Sequence, residues 1–204
     1  TLRGGKTRNR LLYHRVRDLD TPSLFDLMAP KGQGHLPSLG ISGKYSSKTP
    51  IYAIDLNVLF DVSKQRAGSE EAGLVIRAAT SGDIRLVIAE EFIKELQRSS
   101  HQFTNDPHLK FALKLKMLPA PKSQDIKDIE EELAPVIFPE RFRQGILKTQ
   151  DKSDLKHLAT SIQHKITGFI TSEDAILRAH DYLRFKFGLE VLGVSDFADA
   201  MTTN

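Results

Sequence analysis

Short apolar runs separated by longer helical patterns constrain the fold of this chain more than any other feature. Four runs have the length and residue types of buried strands, namely Ile51–Asp55, Arg85–Ala89, Gly168–Thr171 and Glu190–Val194. Between them, apolar residues recur at helical spacing. Parallel strands need crossover connections, which are usually helical, so this alternation favours a helix-covered sheet. The sequence therefore predicts an α/β fold with a mostly parallel sheet of about four to five strands.

Helical segments follow from apolar periodicity and from acidic residues near helix starts. One helix is predicted to begin near Val58. The others are predicted over Glu70–Ser81, Glu90–Arg98, His108–Met117, Ile126–Leu133, Asp154–Lys165 and Ala175–Phe187. In the Asp154–Lys165 helix, the apolar residues fall on one face, which predicts that this helix packs against the core.

The first 49 residues differ in composition from the rest. A basic segment contains a predicted strand at Leu11–Val16, and Ala29–Pro50 is rich in Gly, Pro, Ser and Lys, which is typical of a linker. We place a boundary near Thr49, so that residues 1–49 form an N-terminal appendage and residues 50–204 the main domain. Because the chain begins at Thr1 rather than Met, we expect it to be part of a longer protein.

Composition excludes several function classes. The 204 residues contain no cysteine, so disulfides, thiolate metal sites and thiol nucleophiles are ruled out. With no signal-peptide pattern, this composition predicts a cytoplasmic protein. No apolar run approaches the roughly 20 residues of a membrane helix. The net charge of +3, from 29 Lys and Arg against 26 Asp and Glu, permits a nucleic-acid partner without requiring one.

Acidic residues follow the first two predicted strands. Asp55 ends the first strand, where it could cap the next helix or serve as a ligand at the sheet edge. Glu95 lies on the helix after the second strand, between Phe92 and Leu96, on the face expected to point inward. Glu90 and Glu91 are interpreted as first-turn residues that complement the helix dipole.

Two further pairs of acids lie near later elements. Asp151 and Asp154 stand three residues apart at the start of a helix, so we expect one to cap it and the other to point into the cleft. Glu173 and Asp174 follow the third strand, where helix capping is the alternative. Carboxylates that meet at one edge repel one another unless a cation lies between them, and Mg²⁺ or Mn²⁺ suits such ligands. The scattered His residues show no zinc-ligand spacing, and no phosphate-binding glycine motif is present.

Four motifs in this order resemble a PIN-domain nuclease: YAIDLNVLFD, LVIAEEFIKEL, DKSDLKHLATSI and GFITSED. The resemblance covers roughly residues 51–194 and implies a three-layer α/β/α domain. The positions that match the family pattern are Asp55 with Asn57, Glu95, Asp154, and Glu173 with Thr171. The last acidic position is usually Asp in that family, so Asp174 remains an alternative ligand, as Asp151 does for Asp154.

The resemblance implies a metal-dependent endoribonuclease that hydrolyses single-stranded RNA, with the four acids holding Mg²⁺ or Mn²⁺. Asn57 and Thr171 would orient these ligands without binding the metal themselves. Candidate RNA contacts are Arg141, Arg143, Lys148, Lys152 and Lys156. Phe142 could stack on a base, but we expect it to lie in the core. The alternative is a catalytically weak PIN-like module that binds RNA or another partner.

Toxin-type members of the family pair with an inhibitor, so an antitoxin-like protein is a partner that the resemblance admits, as is a second copy in a homodimer. The N-terminal stretch NRLLYHRVRDLDTPSLFD resembles the closing strand and tail of an acetyltransferase-type domain, as in some PIN fusions.

Overall fold

The structure is a computed structural model that describes residues 49–99, 106–121 and 123–202. The predicted strand at Leu11–Val16 lies outside these residues. The predicted linker and the boundary near Thr49 therefore remain predictions.

A parallel sheet forms the centre of the described part of the chain. Its five strands are β1 (Ile51–Ile54), β2 (Arg85–Ile88), β3 (Lys116–Met117), β4 (Gly168–Thr171) and β5 (Glu190–Gly193). The strand order is β3-β2-β1-β4-β5, and every neighbouring pair is parallel. The predicted α/β class and strand number are confirmed.

Ten helices accompany the sheet in the described residues. They are α1 (Leu56–Ser63), α2 (Ser69–Ser81), α3 (Glu90–Ser99), α4 (Pro107–Ala112), α5 (Ser123–Ile137), α6 (Pro139–Arg143), α7 (Thr149–Gln163), α8 (Asp174–Arg178), α9 (His180–Phe187) and α10 (Val194–Thr202). None of the described helices is long and apolar enough to span a bilayer.

Two helix predictions were wrong in detail. One helix was predicted over His108–Met117, but the helix ends at Ala112. Lys116–Met117 instead pairs with β2 as a short edge strand. The backbone hydrogen bonds offered by β2 outweigh local helical periodicity there. The segment Ala175–Phe187 forms two helices, because the chain turns at Ala179.

The sheet is buried on both faces, which makes the domain three-layered. Ala53, Val87 and Phe169 pack in one core cluster with residues of α5, α7, α8 and α9. Because successive strand residues point to opposite faces, Ile54 and Ile170 point the other way, and both are fully buried. On that side α10 contacts β4 and β5, α1 contacts β4, and α2 contacts α1 and α10. The predicted three-layer α/β/α arrangement is confirmed.

The strand order also locates a crevice. From β1 the chain proceeds to β2 and β3 on one side, whereas β4 and β5 lie on the other side of β1. In open parallel sheets, ligands bind beyond the carboxyl ends of the strands where the order reverses in this way. Here that point lies between β1 and β4, where the backbone amide of Asp55 donates to the carbonyl of Ile170 at 3.3 Å.

Removing a core side chain from α7 tests this packing. Leu158 is fully buried in the cluster that covers the sheet, so Leu158→Ala should lower the free energy of unfolding by about 2–5 kcal/mol. The matched control is Leu113→Ala, since Leu113 is 60% exposed and should cost less than about 0.5 kcal/mol. Urea denaturation measures both, and equal losses would contradict the packing.

Candidate functional site

Asp55 both caps a helix and lies at the sheet edge. It follows β1 directly and is the N-cap of α1, and its Oδ1 accepts a hydrogen bond from the Val58 amide at 3.1 Å. Its Oδ2 accepts one from the hydroxyl of Thr171, at the end of β4. Asp55 is only 3% exposed. The two interpretations of Asp55 are therefore compatible, because the cap uses one oxygen and the other faces the neighbouring strand end.

Thr171 connects the ends of the two central strands. Its hydroxyl donates to Asp55 and accepts from the backbone amide of Glu173 at 2.9 Å. Asn57 acts on Asp55 through its backbone amide, which favours the charged carboxylate. Thr171 thus lies where sequence reasoning expects a supporting residue, whereas the role of the Asn57 side chain remains a prediction.

Asp154 is the acid most strongly affected by its neighbours. It lies on α7, is almost completely buried and accepts a hydrogen bond from the Gln150 side-chain amide at 3.1 Å. Burial, followed by repulsion from Asp55, Glu95 and Glu173, raises the pKa of Asp154 from 3.8 to about 8. Of the four acids carried over from the PIN pattern, Asp55, Glu95 and Glu173 therefore each lie within electrostatic reach of Asp154.

Burial also raises the pKa of Asp55, to about 6. The hydrogen bonds from Thr171 and from the Val58 amide oppose this shift. Glu95 lies on α3 and is 5% exposed, so the inward face predicted for it is confirmed. Its Oε2 lies 2.7 Å from Nε2 of the buried His157.

Asp151 belongs to a different environment. Its carboxylate pairs with the guanidinium of Arg141 and accepts a hydrogen bond at 2.8 Å from the backbone amide of Lys148, the N-cap residue of α7. Arg141 compensates the charge of Asp151, which stabilises the start of α7, and Asp154 is the residue that faces the other acids.

Glu173 and Asp174 separate in the same way. Glu173 is half-buried, and its charge contributes to the raised pKa of Asp154. Asp174 is exposed in the first turn of α8 and is not among the groups that shift this pKa. Of the two, Glu173 is the residue that the fold brings to the cluster.

Buried acids near this edge fall into two classes. Glu91 and Asp151 each form an ion pair with an arginine, Arg98 at 2.7 Å in the case of Glu91. By contrast, within residues 49–99, 106–121 and 123–202 neither Asp55 nor Asp154 forms a salt bridge with a lysine or arginine. Buried carboxylates without a cationic partner are costly. This cost marks Asp55 and Asp154 as the residues suited to an external cation.

Glu91 lies in the first turn of α3, as predicted, and is also buried against α7. Ser153 on α7 donates to it at 2.9 Å, and Lys156 lies 3.5 Å away. Only the packing of α3 beside α7 places these residues together. Glu90 is the other predicted first-turn acid, and it pairs with Lys94 at 3.0 Å.

The structure also reveals His157, which sequence reasoning missed. It is 1% exposed and lies three residues after Asp154, between the rings of Phe92 and Phe169. The i, i+3 spacing from Asp154 is a signal in the sequence, since residues three apart share a helix face.

The candidate RNA contacts are distributed unevenly. Lys148 and Lys152 are exposed, and Arg143 is exposed but pairs with Glu140 at 3.2 Å. Arg141 and Lys156 are engaged by buried acids, as described above. The expectation that Phe142 lies in the core was wrong, because α6 has no buried residue and Phe142 is 45% exposed.

The cluster fits a metal ion by the chemistry of its oxygen donors, not by a complete set of protein ligands. Among the described residues, no three His, Asp or Glu side chains are close enough to hold an ion by themselves. The carboxylate oxygens nevertheless suit Mg²⁺ or Mn²⁺, and a cation would relieve the repulsion that acts on Asp154. Mg²⁺ commonly keeps several waters and binds through one or two carboxylates plus substrate phosphates. The residues therefore fit a cation shared with a substrate.

Comparison with protein-family models found no match to this chain, and comparison with curated proteins found no similar sequence either. The functional argument therefore depends on the fold and on the geometry of the acidic cluster, which is composed of Asp55, Glu95, Asp154 and Glu173.

The raised pKa of Asp154 predicts how stability depends on pH. A carboxyl whose folded pKa lies above its unfolded value stabilises the fold fully below about pH 4, and this contribution is lost as the pH rises towards 8. In EDTA, Asp154→Asn should therefore become more stable than wild type as the pH rises, by about 1 kcal/mol or more at pH 8. Urea denaturation from pH 4 to 8.5 measures this, with the exposed Asp128→Asn as control. A difference that does not change with pH would contradict the prediction.

Proposed function

We propose that this protein is a metal-dependent endoribonuclease of the PIN type, which hydrolyses phosphodiester bonds of single-stranded RNA. The observation that carries the proposal is the acidic cluster at the carboxyl edge of the sheet, where burial and then repulsion from three neighbours raise the pKa of Asp154 to about 8. A cluster that resists ionisation in this way favours a divalent cation, and RNA brings the phosphates that complete such a site.

Each residue of the cluster has a definite task in this proposal. Asp55, Asp154, Glu95 and Glu173 would hold Mg²⁺ or Mn²⁺, one or two of them directly and the others through its waters. The bound ion would supply an activated water and neutralise charge at phosphorus. Thr171 donates to Oδ2 of Asp55 while the Val58 amide donates to Oδ1, so these two donors fix the orientation of the carboxylate.

Single-stranded RNA is the substrate class that suits the edge best, because an unstacked backbone can enter a narrow cleft. Exposed cations on α6 and α7 would contact the backbone on one side of the cluster. Lys148 and Lys152 are exposed, and Arg143 is exposed in a surface pair with Glu140, whereas Arg141 and Lys156 already pair with buried acids. An antitoxin-like inhibitor would cover the same edge.

A second candidate function is a PIN-like module that binds RNA without cleaving it. The observation that favours this module is that the described residues contain no finished group of three metal ligands. The two functions differ in whether cleavage depends on Asp55, which makes them separable by one substitution.

Cleavage of labelled single-stranded RNA tests the proposal directly. Wild type should cut in Mn²⁺ or Mg²⁺, leave 5′-phosphate and 3′-hydroxyl ends, and stop in EDTA. Asp55→Asn should lower the rate about 100-fold or more, because losing a ligand removes several kcal/mol of transition-state stabilisation. Asn is also a good N-cap, so α1 should remain intact.

Asp128→Asn, on the exposed face of α5, is the matched control for the cleavage assay and should cut at the wild-type rate. Wild type that binds RNA but never cuts it would favour the binding module. Wild type that neither binds nor cuts would overturn both candidates.

The neighbouring acids after β4 provide an internal comparison. Glu173→Gln should reduce metal-dependent cleavage at least about tenfold, because Glu173 interacts electrostatically with Asp154. Asp174→Asn should stay within about threefold of wild type, since an exposed carboxylate contributes little. Initial rates at saturating Mn²⁺ measure both variants, and the reverse ranking would assign the ligand position to Asp174.

A further inference from the structure

His157 is a buried histidine that the proposed chemistry does not yet use. It lies on α7, one turn after Asp154, and its imidazole contacts the rings of Phe92 and Phe169, with centroid distances of 6.3 and 6.4 Å. It is 1% exposed. A polar ring in such an apolar setting needs a specific partner, and the ring has one on Glu95.

The hydrogen bond to Glu95 has a defined direction. Nε2 of His157 lies 2.7 Å from Oε2 of Glu95, and both side chains are almost completely buried. An ionised carboxylate can only accept, so Nε2 must carry the proton. Among the described residues Nδ1 has no hydrogen-bond partner. An N–H at Nδ1 would be a buried donor left unsatisfied, so the surroundings favour the tautomer with the proton on Nε2.

This hydrogen bond fixes the orientation of the Glu95 carboxylate. Engaging Oε2 on the α7 side leaves Oε1 as the atom available to a cation. Without the bond, the Glu95 side chain would have several rotamers open to it, and repulsion from Asp154 would favour those that turn away. Donors behind a ligating carboxylate typically contribute 10- to 100-fold to metal affinity or activity.

We infer that His157 is a positioning residue, which holds Glu95 through its Nε2–H so that the free oxygen of this carboxylate faces a divalent cation taken up at the acidic cluster. The inference rests on the proposed function, because it assumes that the cluster takes such a cation. It assigns His157 no contact with RNA and no proton transfer to substrate.

Two amide substitutions separate this role from simple packing. The amide nitrogen of His157→Gln can reach the position of Nε2 and donate to Glu95. The shorter His157→Asn reaches only the position of Nδ1. Both variants bury the same polar group, so they differ mainly in the bond to Glu95. Isothermal titration of the full chain with MnCl₂ should show an affinity within about threefold of wild type for Gln, and a loss of about 10- to 100-fold for Asn.

A double-mutant comparison tests whether His157 acts through Glu95. In a Glu95→Gln background, His157→Asn should cause no further loss of Mn²⁺ affinity, because the group it positions is already changed. Binding of single-stranded RNA in EDTA should be unchanged in every His157 variant. If Gln and Asn bind Mn²⁺ as wild type does, the inference fails while the proposed function stands. If wild type itself binds no Mn²⁺ and cuts no RNA, the proposed function fails and the inference with it.

A measurement on the wild-type chain does not depend on how the variants fold. In ¹⁵N-histidine NMR, the His157 signal can be assigned by its absence from the spectrum of His157→Gln. It should show a proton on Nε2 and none on Nδ1, and its Nε2 resonance should shift when Mg²⁺ is added. A proton on Nδ1 instead would overturn the inference, since Nε2 could not then donate to Glu95.

Discussion

The pairing of β1 with β4 is the contact on which the candidate site depends. These two strands come from segments more than a hundred residues apart, and their parallel register brings Asp55 beside Thr171. The strand order reverses at this pair, so helices leave it in opposite directions and a crevice opens above the strand ends. Without β4, Asp55 would only cap α1; with β4, the same buried carboxylate also accepts a hydrogen bond from Thr171 across the strand ends.

The acids of the candidate site differ from other buried acids nearby, because no lysine or arginine among the described residues pairs with Asp55 or Asp154. Glu91 and Asp151 are equally buried, yet each forms an ion pair with an arginine. Asp55 and Asp154 receive hydrogen bonds from neutral donors, which leave their mutual repulsion in place. The stability that the apolar core provides therefore offsets the destabilising effect of these unpaired buried carboxylates. Such a cost is common where binding or chemistry takes place, because a ligand can relieve it.

Some of the site could be predicted from local patterns, and some could not. Asp55 and Glu173 follow apolar runs, and parallel strands end at one edge, so their proximity follows from the alternation of elements. Glu95 lies at an inward position of an amphipathic helix. The pairing of Glu91 with Ser153, and of Glu95 with His157, depends on how α3 packs beside α7. No spacing within either helix specifies that packing.

The sequence by itself determined the α/β alternation, the residues available at each strand end, and the absence of cysteine chemistry, because these follow from residue type and local periodicity. Tertiary structure decided between neighbouring acids. Asp151 turns to Arg141 while Asp154 faces the cluster, and Glu173 is half-buried while Asp174 is exposed. It also made Lys116–Met117 a strand. In each case the outcome depends on a residue or strand of another element. Hydrogen bonds and charges act between groups that are close in space, and local sequence does not specify which groups these are.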